Sequence, residues 1–196
     1  MRELITATEG YEKFVVSPAP HSDDKGENRL AKMPSVIVET AFHTNPDDAL
    51  ALQDPLFRTA AMKGVEKGYR LWREGEGCDP LAIGRIADVT AGAGGRATVE
   101  VPFKGHPQFP VTLEVRQAGC SAGAGCQGGD VVLTDASPSP LRFQVECGEG
   151  GGGSARWRTT LKDADGVKGG ASEHRQACVA GKVLPARHAA RMGVVL

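Results

Sequence analysis

The stretch 141-LRFQVEC-147 alternates apolar and polar residues without a break. Successive side chains of a β-strand point to opposite faces, so this pattern predicts a strand with one buried and one exposed face. The same period of two recurs at residues 97–103, 111–115 and 157–161. Clusters of Gly, Pro and Asp separate these stretches, as turns do in an antiparallel sheet. Residues 79–196 are therefore predicted to form an all-β domain.

Six or seven strands in that region would form a β-sandwich that resembles an immunoglobulin-like or fibronectin-like module. Trp157 begins one of the alternating stretches, which favours a place in the core over an exposed, sugar-stacking role. The segment Asp163-Ala164-Asp165-Gly166 carries two of the oxygen ligands of a calcium loop. No Glu follows before Glu173, so a tight turn between strands is favoured.

The five cysteines contain no Cys-x-x-Cys pair, and none lies at metal-site spacing to a histidine. Their place in a Gly-rich β region favours disulfides in an exported protein over buried thiols. Cys120 and Cys126 flank 121-SAGAG-125 and could close that short loop. Cys147 continues the inward alternation of its strand, and Cys178 is its expected cross-sheet partner, unless both are buried thiols. Cys78 is left over at the junction between the two regions.

The first region, residues 1–76, predicts an α/β fold with one clear strand and two helices. The β-branched run 36-VIV-38 after Pro34 is typical of a strand buried on both faces of a parallel sheet. Asn45-Pro46 and Asp54-Pro55 each combine an N-cap residue with proline at the first helical position. Apolar residues then recur at helical spacing before two glycines end the helix. They are Phe57, Ala61, Val65, Tyr69 and Trp72.

One segment, 34-PSVIVETAFHTNPDDALALQDPLFRTAAMKGVEKGY-69, carries a motif with chemical content. An apolar strand ends in Glu39, a Phe-x-x-Asn turn follows at 42–45, and an acidic helix start leads to a long helix with a Gly64-Val65 pair. In this order, over residues 29–72, these features resemble the closing part of zinc-dependent N-acetylmuramoyl-L-alanine amidase domains. Those enzymes cleave peptide stems from the glycan strands of peptidoglycan.

The resemblance implies that Glu39 is the catalytic carboxylate. Functional groups of open α/β sheets gather at the carboxyl ends of the strands, which is where the predicted strand places Glu39. Partial burial there would raise its pKa toward the range useful for proton transfer. The alternative is a structural glutamate that caps the next helix or pairs with a surface lysine.

The resemblance also implies a zinc ion held by two His and one Glu, all upstream of the closing strand. Neither the Gly-His-Gly-Gly turn nor the second histidine motif occurs before Glu39. His21 lies in a polar loop and His43 just past the strand, so a ligand role is disfavoured for both. Residues 1–76 are thus expected to be the carboxyl-terminal fragment of a larger domain. A start codon assigned too far downstream, a truncated gene or a fragment would each explain this.

The expected function is zinc-dependent amide hydrolysis in cell-wall turnover, with peptidoglycan as the partner and the β-sandwich as an accessory domain. The alternative is a non-catalytic wall- or surface-binding sandwich that carries an amidase relic. A net charge of −1 gives no case for nucleic acid or anionic membrane. No apolar run approaches the roughly 18 residues of a membrane span. The cysteines favour a periplasmic or extracellular full-length protein, although Met1–Gly10 lacks a signal-peptide pattern.

Overall fold

The computed structural model describes residues 1–16, 26–121, 124, 128–134 and 139–180. Four helices come first, followed by nine strands in the described part of the chain. The helices are α1 (Arg2–Ala7), α2 (Gly26–Arg29), α3 (Pro46–Gln53) and α4 (Pro55–Glu74). The strands are β1 (Ala82–Ile83), β2 (Val89–Gly92), β3 (Arg96–Val101), β4 (Phe103–Lys104), β5 (Val111–Cys120), β6 (Gly129–Leu133), β7 (Leu141–Glu146), β8 (Ser154–Lys162) and β9 (Lys168–Val179).

Helices α3 and α4 begin where their capping residues predict. Asn45 Oδ1 accepts hydrogen bonds from the backbone N–H groups of Asp47 and Asp48 at 2.9 and 3.2 Å. Asp54 Oδ1 accepts one from Leu56 N at 2.8 Å, and each helix has proline at its first position. These contacts satisfy N–H groups that the first turn of a helix leaves unpaired. Both predicted helix starts are therefore confirmed.

Residues 36–38 do not form the predicted strand. They have no regular secondary structure, and Val36, Ile37 and Val38 are 79%, 43% and 41% exposed. A strand buried on both faces needs neighbouring strands at its edges and helices over its faces. The described residues before 75 contain four helices and no strand, so neither condition is met. The α/β prediction for this region is wrong: its described part is helical.

Strands are the regular elements of the described part of the second region, and the four alternating stretches lie in them or reach one residue beyond. The main sheet has the order β2-β9-β8-β5-β6, with β2 parallel to β9 and the other pairs antiparallel. The antiparallel pair β3-β7 packs over the inner face of this sheet, and β1-β4 forms a second small pair. Alternate residues of the facing strands fill the layer between the sheets. They include Val99, Val101, Leu113, Leu141, Phe143, Trp157 and Leu161, all at most 7% exposed.

The helical region packs against one end of this sandwich. Glu3 Oε1 accepts a hydrogen bond from Leu81 N at 2.8 Å, and Lys63 Nζ lies 2.6 Å from an oxygen of Asp165. Helix α1 lies on α4 so closely that a Cβ on Gly64 would clash with the backbone of Met1. Glycine at this position is what allows the approach of the two helices. The two regions thus share one apolar core cluster.

The segment 163–166 forms the predicted tight turn between β8 and β9. Asp163 Oδ1 accepts from the N–H groups of Asp165 and Val167 at 3.0 and 2.9 Å, and Oδ2 accepts from Gln108 N at 3.1 Å. Gly166 has φ +85°, which favours glycine. A buried carboxylate needs such donors, and here three backbone groups provide them.

Candidate functional site

Two hydrogen bonds close the turn that follows Glu39. Asn45 N donates to Phe42 O at 3.0 Å, which defines the turn. Asp48 Oδ2 reaches back from α3 and accepts from Phe42 N at 2.9 Å, while Asn45 caps the same helix. The side chains of Asn45 and Asp48 therefore hold both the turn and the helix start. The motif forms a defined local structure although the strand before it is not formed.

Glu39 itself lies on the exposed segment three residues before that turn. The expected partial burial is wrong, because the strand that would have buried its backbone is absent. The capping alternative is also wrong, since Asn45 caps α3. Within the described part of the chain, Glu39 makes no ion pair with a lysine. Its carboxylate is open to solvent and to any group that approaches from outside the described structure.

Many large apolar side chains of the helical region are exposed. Of the fourteen large apolar residues that are exposed in the described structure, twelve precede Gly75; the others are Val132 and Val179. The predicted apolar face of α4 is divided: Phe57 and Ala61 are buried, whereas Tyr69 and Trp72 are 59% and 61% exposed. Patches of this kind mark surfaces that another structure covers. The helical region does not complete a core of its own.

The described residues do not fit a zinc site. His43 is exposed, and His21 lies outside the described residues. No group of three or more His, Cys, Asp or Glu side chains in the described ranges is placed to hold a metal ion. A catalytic zinc needs three protein ligands and one open position. None of the helices described is long and apolar enough to cross a membrane.

Three of the four described cysteines are disulfide-bonded, and one has a free thiol. Cys147 and Cys178 form a disulfide with a Cα–Cα distance of 5.7 Å, which links the end of β7 to β9 and so joins the two sheets. Cys120 is disulfide-bonded, and its expected partner Cys126 lies outside the described residues. Cys78 is free and exposed at the junction.

Trp157 lies in the core of the sandwich, as predicted, and is 2% exposed. Its Nε1 donates to Gln176 Oε1 at 2.9 Å, and Gln176 Nε2 donates to Glu146 O at 2.8 Å. This chain of hydrogen bonds passes from β8 through β9 to β7, next to the Cys147–Cys178 disulfide. Gln176 is completely buried, and its side-chain amide accepts one of these hydrogen bonds through its oxygen and donates the other through its nitrogen.

A buried histidine that the sequence reasoning missed lies on the same inner face. His174 is 3% exposed, packs edge-on against Phe143 at 6.3 Å between ring centroids, and neither ring nitrogen has a hydrogen-bond partner. Burial lowers the pKa of His174, and the charge of Asp88 opposes this in part. In the sequence, only the spacing of four between His174 and Cys178 pointed to the burial of His174. An even spacing places both residues on one face of a strand.

We expect the stability of the sandwich to fall on acidification through His174. The pKa of this group is lower in the folded than in the unfolded protein, so below its ordinary value of 6.5 the unfolded state binds more protons. Stability is thus retained above pH 6.5 and is lost as pH falls toward the folded pKa. Urea unfolding at pH 7.5 and 5.0 should show a smaller pH effect for His174→Leu than for the parent. His43→Gln, an exposed control, should keep the parental effect; an unchanged effect in His174→Leu would contradict the prediction.

Comparison with known proteins assigns no family. No protein-family profile and no curated protein sequence matches the chain. The M1 domain from titin matches with a TM-score of 0.31 and 9% identity, over 54% of this chain and 98% of that domain. A chain of a type I cohesin–dockerin complex from Clostridium thermocellum matches with a TM-score of 0.29 and 14% identity, over 52% of this chain and 100% of that chain. At such scores these likenesses carry no argument about function.

Proposed function

We propose that residues 1–76 are the carboxyl-terminal fragment of an N-acetylmuramoyl-L-alanine amidase domain, with Glu39 as the catalytic carboxylate of the complete domain. The β-sandwich is its accessory domain and faces the cell wall. The proposal rests on the 34–69 motif together with the exposed apolar surface of the helical region. Amide hydrolysis needs a proton delivered to the leaving amine, and a carboxylate suits that role. The described residues do not fit a zinc site, so the role that we propose for Glu39 is proton transfer alone.

The observation that carries the proposal is the uncovered apolar surface of the helical region. Val36, Ile37 and Val38 are β-branched and exposed, as are Tyr69 and Trp72 on α4. A soluble domain rarely leaves so many large apolar side chains open to water. A parallel sheet would cover both sets, because it would supply strands beside 36–38 and a face against α4. An amidase domain contains such a sheet.

The local geometry of the motif supports the same proposal. The turn at 42–45 and the start of α3 form without the sheet, because Asn45 and Asp48 hold them through side-chain hydrogen bonds. Glu39 is therefore tied to a fixed turn three residues away. When residues 36–38 pair with neighbouring strands, Glu39 would lie at the carboxyl end of a strand, where catalytic groups of α/β sheets gather.

A second function, wall or surface binding without catalysis, is supported by a different observation. The sandwich supplies most of the shared buried core and holds a disulfide, whereas Glu39 lies on an exposed segment without regular structure. In that case the helical region would be an amidase relic. The two functions differ in whether Glu39 matters for any activity.

The test is hydrolysis of purified peptidoglycan by this chain and by a longer one. The longer chain includes the in-frame sequence upstream of Met1, which should encode a Gly-His-Gly-Gly turn and a signal peptide. We expect no muropeptide release by the present chain and release by the longer one. Glu39→Gln in the longer chain should lower the rate by about 10²–10⁴-fold. The exposed Glu76→Gln should leave the rate unchanged.

Two results would contradict the proposal. One is an upstream sequence that lacks both features. The other is a longer chain whose hydrolysis survives Glu39→Gln. A measurable rate of the present chain, lost with Glu39→Gln and with a chelator, would overturn the expectation that it is inactive on its own.

A further inference from the structure

The outer face of the main sheet carries two pairs of directly opposed arginines. Arg116 on β5 is the cross-strand partner of Arg158 on β8, and Arg156 on β8 is the partner of Arg175 on β9. All four side chains are exposed, because the residues beside them on β8 and β9 point into the core. Like charges in directly opposed positions destabilise a sheet unless something compensates for them.

The two pairs differ in their compensation. Arg116 lies 2.6 Å from Asp130, a contact that raises the pKa of its guanidinium, and Arg158 lies 3.9 Å from Glu173. Neither Arg156 nor Arg175 has a carboxylate partner among the residues that the structure describes. The oxygen Asp88 Oδ1 accepts from the backbone N–H of Arg175 at 2.8 Å rather than from its side chain. The first arginine pair thus has carboxylate partners within ion-pair distance, and the second has none among the described residues.

The uncompensated pair lies in a depression of about 640 Å³. A β-bulge between Gln117 and Gly119 places Gly119 opposite Arg156. Since glycine has no side chain, no side chain projects from β5 beside Arg156. Arg156 and Arg175 line the depression together with Gly119, Ser154 and two acidic residues, Asp88 and Glu173. Glu173 pairs with Arg158, and Asp88 accepts from a backbone N–H. The site therefore combines two exposed guanidinium groups that have no ion-pair partner among the described residues with space for a ligand group between the strands β5 and β9.

We propose that Arg156 and Arg175 bind the carboxylate groups of peptidoglycan peptide stems. A guanidinium group presents a planar fork of donors that matches a carboxylate, and two opposed forks can hold two carboxylates or one shared between them. The choice of ligand rests on the proposed function, which sets the sandwich against the wall. The pair Arg116–Arg158, which has carboxylate partners, serves as the control, because it too consists of two directly opposed arginines on antiparallel strands.

The test is co-sedimentation of the full chain with isolated sacculi. We expect Arg156→Gln/Arg175→Gln to weaken binding by about tenfold or more, since it removes charge-assisted hydrogen bonds at an exposed site. Arg116→Gln/Arg158→Gln should change binding by less than about twofold. A third variant, Gly119→Leu, should also weaken binding, because a Cβ there meets no other atom within 4 Å and the side chain fills the depression instead. Far-UV circular dichroism checks that each variant is folded.

Chemical treatment of the sacculi identifies the anion. Amidation of their free carboxylates should abolish the binding that depends on Arg156 and Arg175, while removal of phosphodiester polymers with hydrofluoric acid should not. Binding should also fall as salt rises, since exposed charges are screened within about 10 Å at 0.1 M salt. Equal loss in both arginine pairs, or loss with hydrofluoric acid alone, would overturn the proposal. The hydrolysis test above is separate, so failure of this site would leave the amidase proposal standing.

Discussion

Replacing Trp157 with alanine is expected to lower the free energy of unfolding by about 3–5 kcal/mol. The side chain is 2% exposed and fills the layer between the two sheets, so its removal leaves a cavity. The substitution also removes the donor to Gln176 Oε1, which then lies buried without a partner. A buried unpaired acceptor adds its own desolvation penalty. The cavity and the unpaired acceptor both result from the loss of the Trp157 side chain, and both lower the free energy of unfolding.

Urea unfolding followed by far-UV circular dichroism measures this loss without relying on tryptophan fluorescence. Trp72→Ala is the control, because that side chain is 61% exposed and should cost less than about 1 kcal/mol. Trp157→Phe should fall between the two, since it retains most of the volume but not the N–H donor. If Trp157→Ala cost no more than Trp72→Ala, the placement of Trp157 in the core would be wrong.

Removing the Cys147–Cys178 disulfide is expected to cost about 3–4 kcal/mol. The two residues are 31 positions apart, and the bond restricts the unfolded chain over that loop. The same bond joins the two sheets, so its loss also removes a link across the sandwich. Cys147→Ala/Cys178→Ala is the suitable variant, because both sites are buried and alanine introduces no polar group. The shift of the urea midpoint at constant slope measures the effect.

The free cysteine provides the control for that experiment. Cys78→Ala should change stability by less than about 0.5 kcal/mol, because the side chain is exposed and unbonded. A strong reductant also opens the disulfide of Cys120, so the parent and the double variant should become equally stable when both are reduced. A double variant as stable as the parent would show that the disulfide contributes nothing to the folded state.

Local patterns in the sequence predicted the elements whose causes are local. Helices α3 and α4 begin at Asn45 and Asp54 because capping side chains lie next to the N–H groups that they satisfy. Strands β3, β5, β7 and β8 follow the period of two because each has apolar residues on its buried face. Strand β9 was missed because His174 and Gln176 occupy its inner face where apolar residues would be expected.

Residues 36–38 illustrate the opposite case. Their β-branched run predicts a strand, yet they are exposed and without regular structure. A strand is stable only when other strands satisfy its backbone, and the described part of the first region contains no other strand. The expected position of Glu39 at a strand end was wrong for the same reason. Its identity as the catalytic residue remains a proposal.

The amino-acid sequence by itself determined the helix starts, the alternating strands and the presence of a motif around Glu39. Only the tertiary structure decided the strand order, the parallel pairing of β2 with β9, the burial of His174 and the opposition of Arg156 to Arg175. The physical reason is separation along the chain. Caps and alternation act over a few residues, whereas strand register joins residues tens of positions apart and depends on how all the buried faces pack together.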